Sequence, residues 1–228
     1  MNEMYFVKNN VEKVLKGSFT NFLDLKYQNL VKKRLNNKYN ILSFFDECEH
    51  VIFYKNEIPD ISLYEIKCKN NLSHMQIMGS IFSLKIDESL FGDIIVDDNK
   101  YYIYFFSKIE NYVINNFRKI GKYDIELDKK PIDFLKNYKR KYELITIISS
   151  SERIDSVVSK ITNINRKEIN NKIKNGEILV KGNIISNNSY ILKQNDIFSI
   201  RKYGKYIYIG VDNYTKKGNL IIKCKKYI

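Results

Sequence analysis

The chain has 228 residues, 44% hydrophobic and 29% charged, and its 39 Lys and Arg against 26 Asp and Glu give a formal net charge of +13. No apolar run approaches the roughly 18 to 20 residues that cross a bilayer, and Met1–Asn10 lacks the apolar stretch of a secretory leader, so no membrane partner is expected and the cytoplasm is. Cys48, Cys68 and Cys224 stand far apart without a C-x-x-C spacing, and only His50 and His74 are available beside them. A structural zinc site is therefore hard to assemble; free thiols are expected, and neither a metal nor a cofactor is.

A strong positive charge attracts phosphate polymers, which release counterions on binding. Lys, Asn, Ile and Tyr are all abundant, as a codon bias toward A and T would produce, so the distribution of charge says more than its total. Residues 148–228 hold sixteen Lys and Arg against six Asp and Glu, net +10, which leaves +3 for residues 1–147. Three of the six arginines (Arg34, Arg118, Arg140, Arg153, Arg166, Arg201) fall in that last third, and a guanidinium fork suits phosphate and base edges better than an ammonium does.

Taken in order, residues 1–58 read as a small α/β domain. Val7, Val11 and Val14 recur at helical spacing, as do Phe22, Tyr27, Leu30, Val31 and Leu35, and Tyr39–Phe45 and His50–Tyr54 look extended. Pro59 marks a boundary. Residues 59–141 then give strand Ile61–Cys68, helix Leu72–Leu84, strands Asp93–Val96 and Tyr101–Phe106, helix Ile109–Ile120 and strand Tyr123–Leu127. That β-α-β-β-α-β order predicts a ferredoxin-like or RRM-like plait, with Asp98-Asn99 as a tight hairpin turn and Gly121 stopping the second helix. The run Tyr101-Tyr102-Ile103-Tyr104-Phe105-Phe106 puts aromatics on both faces of its strand. Either one face stacks bases or both are core; the glycine-bearing RNP pattern is missing. Residues 128–141 have the composition of a linker, and without coiled-coil heptads a monomer is expected.

Residues 142–228 begin their pattern with Arg153-Ile154-Asp155 and a helical stripe of Ile154, Val157, Val158 and Ile161. A second helix follows, with Asn165 and Glu168 spaced as a capping box, Ile169 and Ile173 on its buried face and Gly176 as its left-handed stop. Arg166, Asn170 and Lys174 recur at i, i+4 and i+8, with Lys167, Asn171 and Lys172 beside them. Such a face is either a solvated surface or one wall of a basic groove. The strand Glu177–Lys181, Gly182, a turn at Asn195-Asp196 and the strand Ile197–Arg201 supply further cations, Lys181, Arg201 and Lys202, to flank it. The candidate RNA-binding residues are thus Arg153, Arg166, Lys167, Asn170, Lys172, Lys174, Lys181, Arg201 and Lys202, with no catalytic residue among them.

Arg153-Ile154-Asp155, Asn165-Arg166, Ile173–Gly182 and Asp196–Arg201 together resemble the S4-type RNA-binding domain, with Asn165 where serine is usual and Lys181 where asparagine is. The likeness extends to the bacterial YlmH-like proteins through Thr20–Asp24, Leu72-Ser73-His74 with Gly79, Phe91–Val96, Lys119–Gly121, Arg201–Lys205 and Thr215–Gly218. The resemblance implies an α+β, multi-domain chain: a small N-terminal α/β domain, a plait and a C-terminal S4-type (αL-like) domain. It also implies a non-enzymatic binder of rRNA, and of tRNA, on the large ribosomal subunit, in quality control of stalled translation.

Two other functions stay open. S4-type domains also accompany pseudouridine synthases and methyltransferases, yet the first 147 residues show no glycine-rich loop after a first strand, and nothing in the spacing of His74 and Asp93 supports an acid/base pair. The third is an interaction protein of cell division, a role attached to the family.

Overall fold

The structure, a computed structural model, describes residues 2–36 and 39–228, and the chain divides into two compact units, Met1–Lys139 and Arg140–Ile228. The first unit opens with α1, Glu3–Leu15, capped by the Asn2 side chain, and α2, Leu25–Leu35, capped by Asp24. The helically spaced Val7, Val11, Val14, Val31 and Leu35 are all buried, in a core they share with Leu23 and Phe53. Strands β1 (Asn40–Leu42) and β2 (Ile52–Tyr54) then pair antiparallel, as the hairpin reading requires.

Next come β3 (Ile61–Lys67), α3 (His74–Ser83), β4 (Phe91–Asp97), β5 (Lys100–Phe106), α4 (Glu110–Asn116), the short pair β6 (Lys119–Ile120) and β7 (Tyr123–Asp124), and β8 (Glu126–Lys130). The antiparallel sheet has the order β4-β5-β3-β8, the arrangement in which a β-α-β-β-α-β chain places both helices against one face. Asp98 and Asn99 both have positive φ, 44° and 64°, so the β4–β5 turn is the primed type that suits strand twist. Tyr101, Ile103 and Phe105 pack with Ile77, Ile81 and Val113 of the helices. Tyr102, Tyr104 and Phe106 pack instead with Phe22, Phe44, Phe45 and Ile52 from the first 58 residues. Gly92 admits this second layer: a Cβ there would lie 2.6 Å from the Phe22 ring.

Three local expectations change. Helix α4 ends at Asn116, well short of Ile120, and Gly121 (φ 58°) belongs to the β6–β7 turn. Val113, Phe117 and Ile120 keep helical spacing because all three are buried, but backbone pairing of Lys119-Ile120 takes over after Phe117. The strand that closes the sheet is Glu126–Lys130, three residues later than read, since Tyr123-Asp124 pairs with β6. The expected linker 128–141 is folded in part: Asp128–Lys130 pair with β3 and Leu135 is buried against Tyr102 and Tyr104, while the other residues are turn or irregular and the boundary of the two units falls at Lys139. Charge misleads there, because an edge strand carries it on its solvent side, and Pro131 stands just past the strand's last residue.

The second unit comprises β9 (Tyr142–Ser149), α5 (Ile154–Thr162), α6 (Arg166–Lys174), β10 (Ile178–Val180), β11 (Asn183–Ile184), β12 (Ile197–Ile200), β13 (Gly204–Tyr214) and β14 (Leu220–Tyr227). Its six-stranded antiparallel sheet has the order β11-β10-β12-β13-β14-β9. Ile154, Val157 and Val158 of α5 and Ile169 and Ile173 of α6 share one core with Ile147, Ile178, Phe198, Tyr206, Tyr208, Ile222 and Cys224 of the sheet. Gly176 (φ 70°) ends α6 in a Schellman motif, its N–H donating to Ile173 O and that of Glu177 to Lys172 O. The cap is half of the expected box: Asn165 Oδ1 accepts from the Glu168 N–H at 2.9 Å, while the Glu168 carboxylate accepts from the Asn165 side chain rather than its backbone.

Candidate nucleic-acid interface

Asp155 organises the site. It lies in the first turn of α5, 1% exposed, where the helix dipole favours an anion. Arg153, at the N-cap position, clamps it with two bonds, Nε to Oδ1 at 3.2 Å and Nη2 to Oδ2 at 3.0 Å. Arg166, first residue of α6, donates from Nη2 to the same Oδ2 at 2.7 Å. Burial pushes the Asp155 carboxyl up, but the hydrogen bonds and charges of the two guanidiniums outweigh it and hold the group below its ordinary value. The trio carries one net positive charge, and both guanidiniums keep an open edge, with side chains 37% and 47% exposed. Two donor forks are thereby fixed in place before any ligand arrives, which lowers the ordering cost of binding.

The other candidates gather in two further places. At the end of α6, Lys172 Nζ bonds Glu177 at 2.8 Å, and the Arg201 N–H donates to Glu177 O at 2.9 Å. Lys172 chiefly, and Arg201 through its charge, hold the Glu177 carboxyl low. Lys202 (φ 72°) occupies the adjoining β12–β13 turn. Past the other end of β10, Lys181 Nζ lies 2.7 Å from the buried Asp196, which also accepts from the Tyr190 hydroxyl at 2.8 Å. Tyr190 O in turn accepts the Ile154 N–H, which ties this cluster to the start of α5. Lys167 and Lys174 are exposed on α6, and the Asn170 Oδ1 is buried without a hydrogen-bond partner among the described residues.

The nine candidates therefore do not form one unbroken positive wall. Three carboxylates, Asp155, Glu177 and Asp196, sit among eight cations and hold five of them in defined positions or fields. From sequence, Asp155 is only part of a helix and Asp196 only part of a turn. Lys181 takes a left-handed φ of 52°, a position that suits asparagine, and its ammonium lies 2.7 Å from Asp196.

In the first unit, β5 is closed to bases. Tyr101 to Phe106 are each at most 4% exposed, so both of its faces are core. Cations collect instead around an open cleft of about 620 Å³ lined by Lys67, Lys69, Asn70, Lys122 and Tyr123, with Asp124 and Glu126 at its side. Asp93 pairs with His50: His50 Nδ1 is 2.6 Å from Oδ1, while Oδ2 accepts from Cys48 Sγ at 3.1 Å and the Glu49 N–H at 2.8 Å. Burial and Asp93 push the Cys48 thiol far up, so it holds its proton. His74 opens α3 behind the Ser73 cap.

Residues 55–133 match the family model described as "Putative RNA-binding domain in YlmH". The chain is 22% identical over 221 residues to the "Ribosome-associated protein quality control protein P2" of Bacillus subtilis (strain 168), an alignment covering 91% of this chain and 86% of that protein. A Plasmodium falciparum protein is 28% identical over 249 residues, 98% of this chain but 5% of its own length. Among solved structures, "Cell division protein ylmH from Streptococcus pneumoniae" superposes with a TM-score of 0.50 at 21% identity, over 60% of this chain and 96% of that one, a likeness of fold. The likeness to YlmH-like proteins read from the sequence is thus met by a family domain, a relative and a shared α+β fold, and the chain carries the YlmH-type domain at residues 55–133.

Proposed function

We propose that the chain is a non-enzymatic RNA-binding protein that acts with the ribosome, gripping folded rRNA on the large subunit, with tRNA nearby, during quality control of stalled translation. The observation that carries this reading is the pair of guanidiniums held on buried Asp155 at the adjoining starts of α5 and α6. Two fixed forks beside the N–H groups that open two helices suit phosphate and groove shape, which is how structured RNA is recognised without reading its bases. The family model at residues 55–133 and the name of the Bacillus relative support the same direction.

On this reading the C-terminal unit is an S4-type domain and Arg153, Arg166, Lys167, Lys174, Arg201 and Lys202 face the RNA, while Lys172 and Lys181 chiefly hold acids. The plait contributes through the cleft at Lys67, Lys69 and Lys122 rather than through its buried sheet. Cosedimentation with purified large subunits across a salt series tests it. Arg166→Ala with Arg201→Ala weakens binding and lowers the slope of log affinity against log salt by about 1 for each phosphate that is no longer neutralised. Unchanged sedimentation and slope would refute the assignment.

A further inference from the structure

The cleft of about 620 Å³ in the first unit is built by two short segments held by backbone pairing. In one, Lys67 closes β3 in register with Glu126, and Cys68, Lys69 and Asn70 lead away from it. In the other, the two-residue turn Gly121-Lys122 joins β6 and β7, its glycine at φ 58° as a type II′ turn requires, and the Ile125 N–H donates to Arg118 O at 3.0 Å. Cys68, Tyr123 and Ile125 are partly buried against the helix-side core and give the cleft an apolar floor.

The rim carries both signs of charge, with Lys69, Lys122, Asp124 and Glu126 exposed. Some of the charges are engaged: Lys67 Nζ bonds Asp128 at 2.7 Å, and Asp124 lies 3.4 Å from Lys119 on open surface. Lys122 Nζ stands 5.5 Å from the centre of the Tyr123 ring, a contact in which an ammonium with three N–H groups can still donate to a phosphate. A bare phosphate, or the backbone of a duplex, meets repulsion from Asp124 and Glu126 as well as attraction. A nucleotide with its base turned out offers a partner to each kind of group. Ammoniums take its phosphates, the apolar floor and the Tyr123 ring take its flat base, and carboxylates, which only accept, take the ribose 2′-hydroxyl or a base amino group. An A-form duplex hides its bases, so the nucleotide is unpaired. A merely solvated cleft, its charges balanced by one another, predicts equal affinity for RNA with and without an unpaired base.

We infer that this cleft takes one unpaired ribonucleotide of the bound RNA, with Lys69 and Lys122 on its phosphates and Tyr123 beside its base. The inference deepens the RNA-binding reading above and rests on it, and its test separates the two. Full-length protein is titrated into a fluorescein-labelled RNA hairpin with a single uridine bulged from its stem, and into the same hairpin without the bulge, with anisotropy as the readout and thermal melting to confirm folding.

The parent binds the bulged hairpin roughly tenfold more tightly than the plain one. Lys69→Ala with Lys122→Ala removes that preference and lowers the salt slope on the bulged hairpin by about 1.4, two phosphates' worth for unpaired nucleotides. Tyr123→Leu removes most of the preference without altering the slope, and Tyr123→Phe keeps it. If Tyr123→Leu fails to fold, the lysine pair decides. Equal parent affinity for the two hairpins overturns the inference, and so does a preference that survives in the folded lysine variant. A lysine variant that weakens both hairpins equally also overturns it, since the cleft then meets phosphate alone. In those three cases the RNA-binding reading stands as long as Arg166→Ala with Arg201→Ala weakens both hairpins; if the parent binds neither hairpin, that reading falls and the inference with it.

Discussion

Strands β5 and β14 draw on similar residues to opposite effect. In β5 every position from Tyr101 to Phe106 is buried, because helices cover one face of the plait sheet and the N-terminal segment covers the other. In β14, Ile222 and Cys224 are fully buried while Ile221, Lys223, Lys225 and Tyr227 stay partly open. A continuous apolar run marks a strand sealed on both sides, and strict alternation marks one with a face left for something else. The aromatics most suggestive of base stacking are therefore structural, and the lysine-bearing strand is the one that buries only alternate side chains fully.

The contrast breaks first at Tyr104. Tyr104→Ala costs about 3–5 kcal/mol through the cavity it leaves, confined to the first unit, whereas any half-open residue of β14 costs far less. Its hydroxyl is buried without a hydrogen-bond partner among the described residues, so Tyr104→Phe is neutral or stabilising. Urea denaturation followed by hydrogen exchange in each unit measures both, and a loss above about 1 kcal/mol for Tyr104→Phe contradicts the account.

A smaller effect sharpens the contrast through pH. For His50, burial opposes the charged ring, but the hydrogen bond and charge of Asp93 outweigh it and raise the pKa above its ordinary 6.5. The stability this gives the first unit is fully present below pH 6.5 and is lost as pH rises through the raised value. Asp155 is shifted the other way: its contribution to the second unit is present above its ordinary 3.8 and is lost as pH falls through the lowered value. Amide exchange across a pH series therefore weakens the first unit on the alkaline side and the second on the acid side. Loss of both units on the same side would contradict these assignments.

Much of this is legible in the residues. The valines of α1, the Asp98-Asn99 turn, the Asn165 cap and the Gly176 stop each carry a local physical signal, and each stands where the sequence puts it. Gly121 and the stretch 128–141 mislead because their roles are set by pairing with distant strands, which no local signal reports. The site divides in the same way. Arg166 and Lys174 follow from helical spacing, but that Asp155 holds two arginines, and Asp196 a lysine, depends on elements brought together only by the fold.

The measurement closest to the central claim is the RNA affinity of Asp155→Asn, with folding confirmed by thermal melting. The substitution adds one positive charge, yet it removes the anchor of Arg153 and Arg166 and costs about 1.5–3 kcal/mol of stability through weakened charge-assisted hydrogen bonds. Affinity for large subunits falls if fixed guanidiniums make the contact. Affinity that stays level or rises with the added charge would show attraction without a built site, and would contradict the account.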